Sequence, residues 1–186
     1  MKQLSKTILL FSAVAAILIT LSSFIINEKK KETKNTASYT ITFLGIETIG
    51  TTERWSWTVS NPNPGNGTNG TLQNISHWDL PLCAAAEAAL VGAEYSTDGG
   101  ITWVSVPLEI ERDPSIRLCT TTDVLKFNIG TIGTAPNNYR ITFNQMLSVN
   151  PWATSYIKTG GGLQGCNMYG YVGVGCEIPI GGTRNY

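Results

Sequence analysis

The sequence has few groups that do chemistry or bind nucleic acid. Only 14% of its 186 residues are charged, and it contains a single histidine. Six of the 13 Lys and Arg residues precede position 37, which leaves seven basic and eleven acidic residues in the rest of the chain. Nucleic-acid binding needs a clustered basic surface that neutralises phosphates. The part of the chain after position 37 is mildly acidic, so we expect no nucleic-acid partner.

Several motifs that would indicate a cofactor or a catalytic centre are also missing. There is no G-x-S-x-G elbow for a nucleophile, no glycine-rich phosphate loop and no D-x-D-x-D-G calcium loop. The cysteines show no C-x-x-C spacing, the pattern expected of zinc sites and redox pairs. We therefore expect no cofactor and no metal site.

The N-terminus predicts export. Lys2 and Lys6 precede an uncharged, largely apolar stretch at residues 8–26, the pattern of a secretory signal peptide. A helix of this length also matches the hydrocarbon thickness of a bilayer. We therefore interpret residues 1–26 as a hydrophobic helix that is either a cleaved signal peptide or a retained signal anchor. Residues 27–38 are Lys-rich and predict a charged linker.

The four cysteines agree with export. In an exported chain, Cys83, Cys119, Cys166 and Cys176 predict two disulfides rather than reactive thiols. Four cysteines allow three pairings, and their spacing does not choose among them. The predicted location is secreted, extracellular or at the cell surface, with membrane contact only through residues 8–26 if they are retained.

The remainder of the chain predicts an all-β fold. Trp55, Trp57 and Val59 alternate with polar residues, as in a strand with one face on a core. Further β-rich runs lie at 91–97, 101–106, 108–111, 123–129, 138–147, 154–158 and 167–174. Residues 39–186 are expected to form one immunoglobulin-like or Greek-key β-sandwich of seven to nine strands. Residues 84–91 fit either one short helix or an extended segment.

One local pattern matches the Asp-box signature S-x-D-x-G-x-T-W. Its residues are Ser96, Asp98, Gly99, Gly100, Thr102 and Trp103. The aspartate is expected to accept backbone N–H groups across a hairpin turn, the glycines to supply positive φ, and the tryptophan to pack beneath. A single copy in so short a chain favours a structural turn over a glycosidase propeller.

Candidate catalytic residues are few. The only histidine, His77, would have to serve any Ser-His-Asp mechanism, with Asp79 two residues later on the same strand. Glu109 and Glu111 share one strand face, with Asp113 just beyond, and are alternatives as an acid–base pair or as calcium ligands. We expect a structural hydrogen bond for the histidine, a solvated strand for the two glutamates, and no enzyme.

The five tryptophans suggest a second class of function. Exposed aromatic rings bind sugars by stacking. Trp78 and Trp152 lie next to loops and are the two candidates for such a platform, whereas Trp55, Trp57 and Trp103 fit a core.

The chain also resembles a class of exported bacterial domains with the pattern TWxYxV, SHWxLxLC, DP, GxKFD, VxIKxG and GPxC. The matching segments include Trp55–Val59, Ser76-His77-Trp78 with Cys83, Asp113-Pro114, Lys126-Phe127 and Cys176. The resemblance covers about residues 39–176 and implies a secreted or surface-displayed β-sandwich without a known ligand. It also implies that Cys83 pairs with Cys176, which leaves Cys119 for Cys166. Sequential pairing of neighbouring cysteines is the alternative.

These observations favour a non-enzymatic protein of adhesion, surface display or extracellular matrix structure. Its expected partner is a cell-surface or matrix protein, or a polysaccharide. A carbohydrate-binding module is the first alternative, and a secreted hydrolase the second.

Overall fold

The computed structural model describes residues 38–68, 70–160 and 165–177, so the predicted signal segment and most of the linker lie outside the described residues. There are ten strands: β1 Thr40–Ile49, β2 Thr52–Ser60, β3 Ile75–Leu80, β4 Leu90–Ser96, β5 Val104–Ser105, β6 Ile110–Glu111, β7 Val124–Phe127, β8 Asn137–Phe143, β9 Val149–Thr159 and β10 Cys166–Val174. The same described residues also form the helix α1 at Ala84–Ala89 and a 3-10 turn at Pro114–Ile116. Within the described ranges, no helix is long and apolar enough to cross a membrane.

The strands form two antiparallel sheets of five. The first sheet has the order β1-β2-β8-β4-β5, and the second has the order β10-β9-β3-β7-β6. The all-β prediction is therefore confirmed. Ten strands replace the expected seven to nine because β3 is an additional strand. β5 and β6 lie within two of the expected runs but are only two residues long each.

The alternation of β2 explains how the first sheet packs. Trp55, Trp57 and Val59 are fully buried, while the residues between them are half-buried. A strand places successive side chains on opposite faces, so one face of β2 lies on the core.

Aromatic rings from both sheets fill the core. Trp57 and Tyr139 come from the first sheet, and Trp78 and Phe127 from the second. The ring centroids of Trp78 and Tyr139 are 5.0 Å apart, and those of Phe127 and Tyr139 are 5.1 Å apart, both in edge-to-face arrangements. The Trp57 indole also donates a hydrogen bond to the Val172 carbonyl at 2.7 Å. Such ring pairs stabilise a core beyond their buried area.

A second, smaller apolar cluster lies around the 3-10 turn. It consists of Ile116, Val124 and Tyr156, with Cys119 and Cys166 packed against it. Residues 112–122, which we call the covering segment, therefore pack through Ile116 against β7 and β9 of the second sheet, outside the main core.

Both cysteine pairs are disulfide-bonded, as expected of an oxidising, extracellular environment. Cys83, which precedes α1, is bonded to Cys176 with 5.8 Å between the Cα atoms. Cys119 is bonded to Cys166 with a Cα separation of 6.2 Å, so the covering segment is fastened to β10. This is the pairing that the resemblance implies.

Candidate functional site

The strongest grouping of titratable side chains lies on β3. Trp78 and Leu80 belong to the main core, so His77 and Asp79 point to the opposite face of the second sheet. That face is not open to solvent here, since His77 is 4% exposed and Asp79 is fully buried. Asp113, at the start of the covering segment, is also buried.

The histidine ring lies among oxygen atoms. His77 Nε2 is within hydrogen-bonding distance of three of them: Asp79 Oδ2 at 3.2 Å, Asp113 Oδ2 at 3.0 Å and Ser115 Oγ at 3.1 Å. Lys126, directly opposite Asp79 on β7, completes the group. We call these five residues, His77, Asp79, Asp113, Ser115 and Lys126, the His77 cluster.

Asp113 is well supported as an ionised carboxylate. Its Oδ2 forms an ion pair with Lys126 Nζ at 2.7 Å, and its Oδ1 accepts the Ser115 backbone N–H at 2.7 Å. The second contact caps the 3-10 turn that follows. Burial alone would raise the pKa of Asp113, but Lys126 and Ser115 outweigh it and lower the pKa to about 2.

Asp79 has the opposite environment. Burial raises the pKa of this carboxyl group, and the nearby His77 and Lys126 only partly offset that effect. Asp79 Oδ2 lies 3.2 Å from His77 Nε2, and among the described residues neither oxygen of this carboxylate accepts a hydrogen bond of normal geometry. The cluster therefore contains one well-paired carboxylate and one poorly paired carboxylate.

The cluster brings a serine, the histidine and two aspartates together, but not as a catalytic triad. In a triad, the nucleophile contacts one ring nitrogen while the carboxylate holds the N–H of the other nitrogen. Here Ser115 Oγ and both aspartates lie at the same atom, His77 Nε2. An aspartate at Nε2 competes with the serine for that nitrogen. It does not orient the ring by accepting the N–H of the other nitrogen, Nδ1.

The Asp-box residues form a hairpin turn away from this cluster. Asp98 accepts the backbone N–H groups of Ile101 and Thr102 at 3.0 and 2.9 Å, and the Thr102 hydroxyl at 2.6 Å. Ser96 donates its hydroxyl to the same carboxylate at 2.6 Å. These bonds hold the pKa of Asp98 well below its usual range.

The rest of that turn matches its sequence pattern in detail. Gly99 and Gly100 have φ values of 77° and 90°, and β4 pairs with β5 across the turn. The Trp103 indole donates to the Gly100 carbonyl at 3.0 Å. The Asp-box therefore forms a self-contained hairpin turn in which both carboxylate oxygens of Asp98 accept hydrogen bonds from the turn itself.

The two candidate sugar platforms have different environments. Trp78 is fully buried in the main core, so the expectation that it lies exposed is wrong. Trp78 lies inside β3, the middle strand of the second sheet, and its ring points into the main core. Trp152 is 86% exposed.

The remaining acidic candidates do not join the cluster. Glu109 and Glu111 are both exposed, and β6, which ends at Glu111, is the edge strand of the second sheet. Among the described residues, the group of His, Cys, Asp and Glu side chains that converges closely enough to hold a metal ion is His77, Asp79 and Asp113, whose candidate ligand atoms lie within 4.8 Å of one another.

Three members of the cluster were not singled out as a site from the sequence. Lys126 is marked only by the family resemblance, Asp113 by that resemblance and as a carboxylate just beyond Glu111, and Ser115 carries no signal except its place after Asp-Pro, where a turn-capping aspartate binds the next N–H groups. No protein-family model, curated protein or solved structure matches this chain.

Proposed function

We propose that this chain is a non-enzymatic, exported β-sandwich that acts in adhesion, surface display or extracellular matrix structure. The observation that carries the proposal is the geometry of the only histidine. His77 is buried, and its Nε2 faces two aspartates and a serine together, an arrangement suited to holding a segment in place rather than to proton relay.

The fold agrees with a role as a rigid carrier of surfaces. Two disulfides close long stretches of chain, 93 and 47 residues apart, and so resist unfolding in the absence of chaperones. Consecutive strands repeatedly cross between the two sheets, as in immunoglobulin-like and Greek-key sandwiches. We infer that the sandwich belongs to that type, and that an N-terminal signal peptide or signal anchor directs it outside the cell.

Surface display is tested on intact producing cells. Trypsin added to such cells is expected to remove the protein, and antibody against the chain is expected to label them. A cytoplasmic protein of the same cells serves as the control for lysis. Protection of the chain from trypsin, with the protein found neither on the surface nor in the medium, would contradict the proposal.

The absence of catalysis is tested with a fluorophosphonate probe, which modifies activated serine hydroxyls. Ser115 is the residue to examine because its hydroxyl lies 3.1 Å from the histidine. We expect no labelling of Ser115 under conditions that label a known serine hydrolase. Stoichiometric labelling that disappears in His77→Gln would instead favour the secreted hydrolase.

A carbohydrate-binding role is the second candidate, and the position of Trp152 favours it. On β9, Pro151 and Trp152 lie opposite the single residue Val172 of β10, where the register shifts. Such a bulge re-aims side chains, and the Trp152 ring is left 86% exposed. A cleft of about 310 Å³ has Asn150 and Ala153, on either side of Trp152 in the chain, in its lining, but Trp152 itself does not line it.

Intrinsic tryptophan fluorescence tests this second candidate. Titration with soluble polysaccharides is expected to change the emission of the wild-type chain and not that of Trp152→Ala. Ile132→Ala is a matched control because Ile132 is 85% exposed but not aromatic. If no polysaccharide changes the emission, the partner is a protein and the platform hypothesis fails.

A further inference from the structure

The His77 cluster has an imbalance that the proposed function does not use. It places two carboxylates, Asp79 and Asp113, beside one ammonium group, that of Lys126. Lys126 Nζ forms its ion pair with Asp113, at 2.7 Å. Asp79 is wholly buried, and within the described ranges neither of its oxygens accepts a hydrogen bond of normal geometry. A buried carboxylate without donors is costly and needs a positive partner.

The oxygen atoms around His77 Nε2 are arranged as metal ligands rather than as hydrogen-bond partners. One N–H of an imidazole satisfies one acceptor well, yet His77 Nε2 has three oxygens at 3.0–3.2 Å. In a tetrahedral site with bonds of about 2.0–2.2 Å, neighbouring ligand atoms lie roughly 3.3–3.6 Å apart. The three distances from Nε2 are a few tenths of an ångström shorter than that spacing, and the candidate ligand atoms of His77, Asp79 and Asp113 all lie within 4.8 Å of one another.

We propose that His77 Nε2, Asp79 Oδ2, Asp113 Oδ2 and Ser115 Oγ bind one divalent transition-metal ion, of which Zn²⁺ suits the donor set best. Imidazole favours zinc and its neighbours, whereas calcium and magnesium take sets of oxygens. Lys126 is then an outer partner that binds a ligating carboxylate, a common feature of metal sites.

The ion has a structural role in this arrangement. Its four ligands come from two places in the chain, β3 and the segment that covers β3. The ion therefore fastens that segment to the sheet from one side, while the Cys119–Cys166 disulfide fastens it from the other. A closed set of four protein ligands is typical of structural zinc sites. Ser115 is half-buried and marks the side from which an ion enters.

Binding is tested on the untagged, oxidised full chain, because a polyhistidine tag would add competing ligands. The protein is first dialysed against EDTA and then titrated with Zn²⁺ in competition with a chromophoric chelator. We expect one equivalent to bind and the thermal midpoint to rise with Zn²⁺ but not with Mg²⁺. Failure to bind one equivalent would overturn the proposal and leave a proton as the counter-charge of Asp79.

Two variants locate the ion. Asp79→Asn keeps the shape of the side chain and removes its charge, and it is expected to weaken Zn²⁺ binding by more than about 100-fold, since changes to outer partners alone cost about 10–100-fold. Glu94→Gln is the matched control, because Glu94 is paired with Arg140 on the other sheet and should bind Zn²⁺ as the wild type does. Equal affinity of Asp79→Asn and wild type would mean an adventitious ion only.

A third measurement needs no variant and covers the case in which Asp79→Asn does not fold. X-ray absorption at the zinc edge detects imidazole as a ligand. Since the chain contains one histidine and no free cysteine, an imidazole ligand identifies His77 directly. A spectrum with oxygen ligands alone would contradict the proposed site even if one equivalent of Zn²⁺ binds.

Discussion

The guanidinium carbon of Arg140 lies 3.8 Å from the centre of the Trp103 ring. Arg140 also forms two hydrogen bonds to the Glu94 carboxylate, at 2.6 and 3.0 Å. Arg140 belongs to β8, Glu94 to the facing position on β4, and Trp103 to the end of the Asp-box turn. One arginine thus connects the turn to the centre of the first sheet.

Replacement of this arginine should destabilise the sandwich. Arg140→Lys keeps the charge but loses the flat stacking surface and the two-pronged contact with Glu94. We expect a loss of about 1–2 kcal/mol in the free energy of unfolding, measured with guanidinium chloride. Arg112→Lys is the control, since the exposed Arg112–Asp123 pair is 3.9 Å apart and should contribute little. Equal losses in the two variants would show that stacking on Trp103 contributes nothing.

The Asp-box aspartate should make stability depend on pH. The pKa of Asp98 is lowered in the folded state, first by the hydroxyl of Ser96 and then by Thr102. A group with a depressed folded pKa stabilises above its unfolded pKa, and this stabilisation is lost as the pH falls through the folded value. The thermal midpoint of Asp98→Asn should therefore be lower than that of wild type at pH 7, and the gap should narrow below about pH 4. A gap that stays constant down to pH 2 would mean that the charge of Asp98 is not involved.

The Cys119–Cys166 disulfide should protect the segment that covers the His77 cluster. It closes 47 residues and, on the chain-entropy model, stabilises the fold by about 4 kcal/mol. In Cys119→Ser/Cys166→Ser we expect faster hydrogen exchange at the amides of Cys119 and Thr120, both bonded to the Ile116 carbonyl. Amides in β2 and β8 of the other sheet should remain more protected than these two, and equal exchange rates at all of them would indicate global rather than local opening.

The sequence predicts the strands that have one solvated face, but it does not predict β3, which is buried on both of its faces. β2 and β8 alternate apolar and polar residues along their length, and this period of two identifies a half-buried strand. β3 lacks it, because a bulge between Ile75 and His77 shifts the register and the outward face carries buried polar groups. Tertiary covering by another segment leaves no local pattern, so it could not be read from the chain.

The same reason explains how much of the candidate site was predictable. His77 and Asp79 were noted as neighbours on one strand face, which a period of two is enough to indicate. Their contacts with Asp113 and Ser115 depend on a segment more than thirty residues later, which no spacing rule connects to β3. The outward position of Trp152 was expected, whereas the burial of Trp78 was not, because position next to a loop does not reveal which face of the sheet a residue occupies.

Gly130 should tolerate no side chain. It lies in the connection between β7 and β8, and a Cβ added there would overlap the backbone carbonyl of Ile75 at the start of β3. Neither partner moves easily, because the Gly130 carbonyl accepts the Asn137 side-chain amide at 2.9 Å and β3 is paired on both sides. We expect Gly130→Ala to lower the free energy of unfolding by about 3 kcal/mol, measured by urea denaturation.

Gly92→Ala separates this steric effect from the general effect of an added methyl group. Gly92 lies inside β4, and a Cβ there would meet the Thr142 side chain at 3.5 Å, an ordinary contact. Because alanine also restricts the unfolded chain more than glycine does, this variant should be as stable as wild type or more stable by up to about 1 kcal/mol. If the two variants unfold at the same urea concentration, β3 and the connection between β7 and β8 do not pack as closely as described. The position of His77 beside the covering segment would then have to be revised.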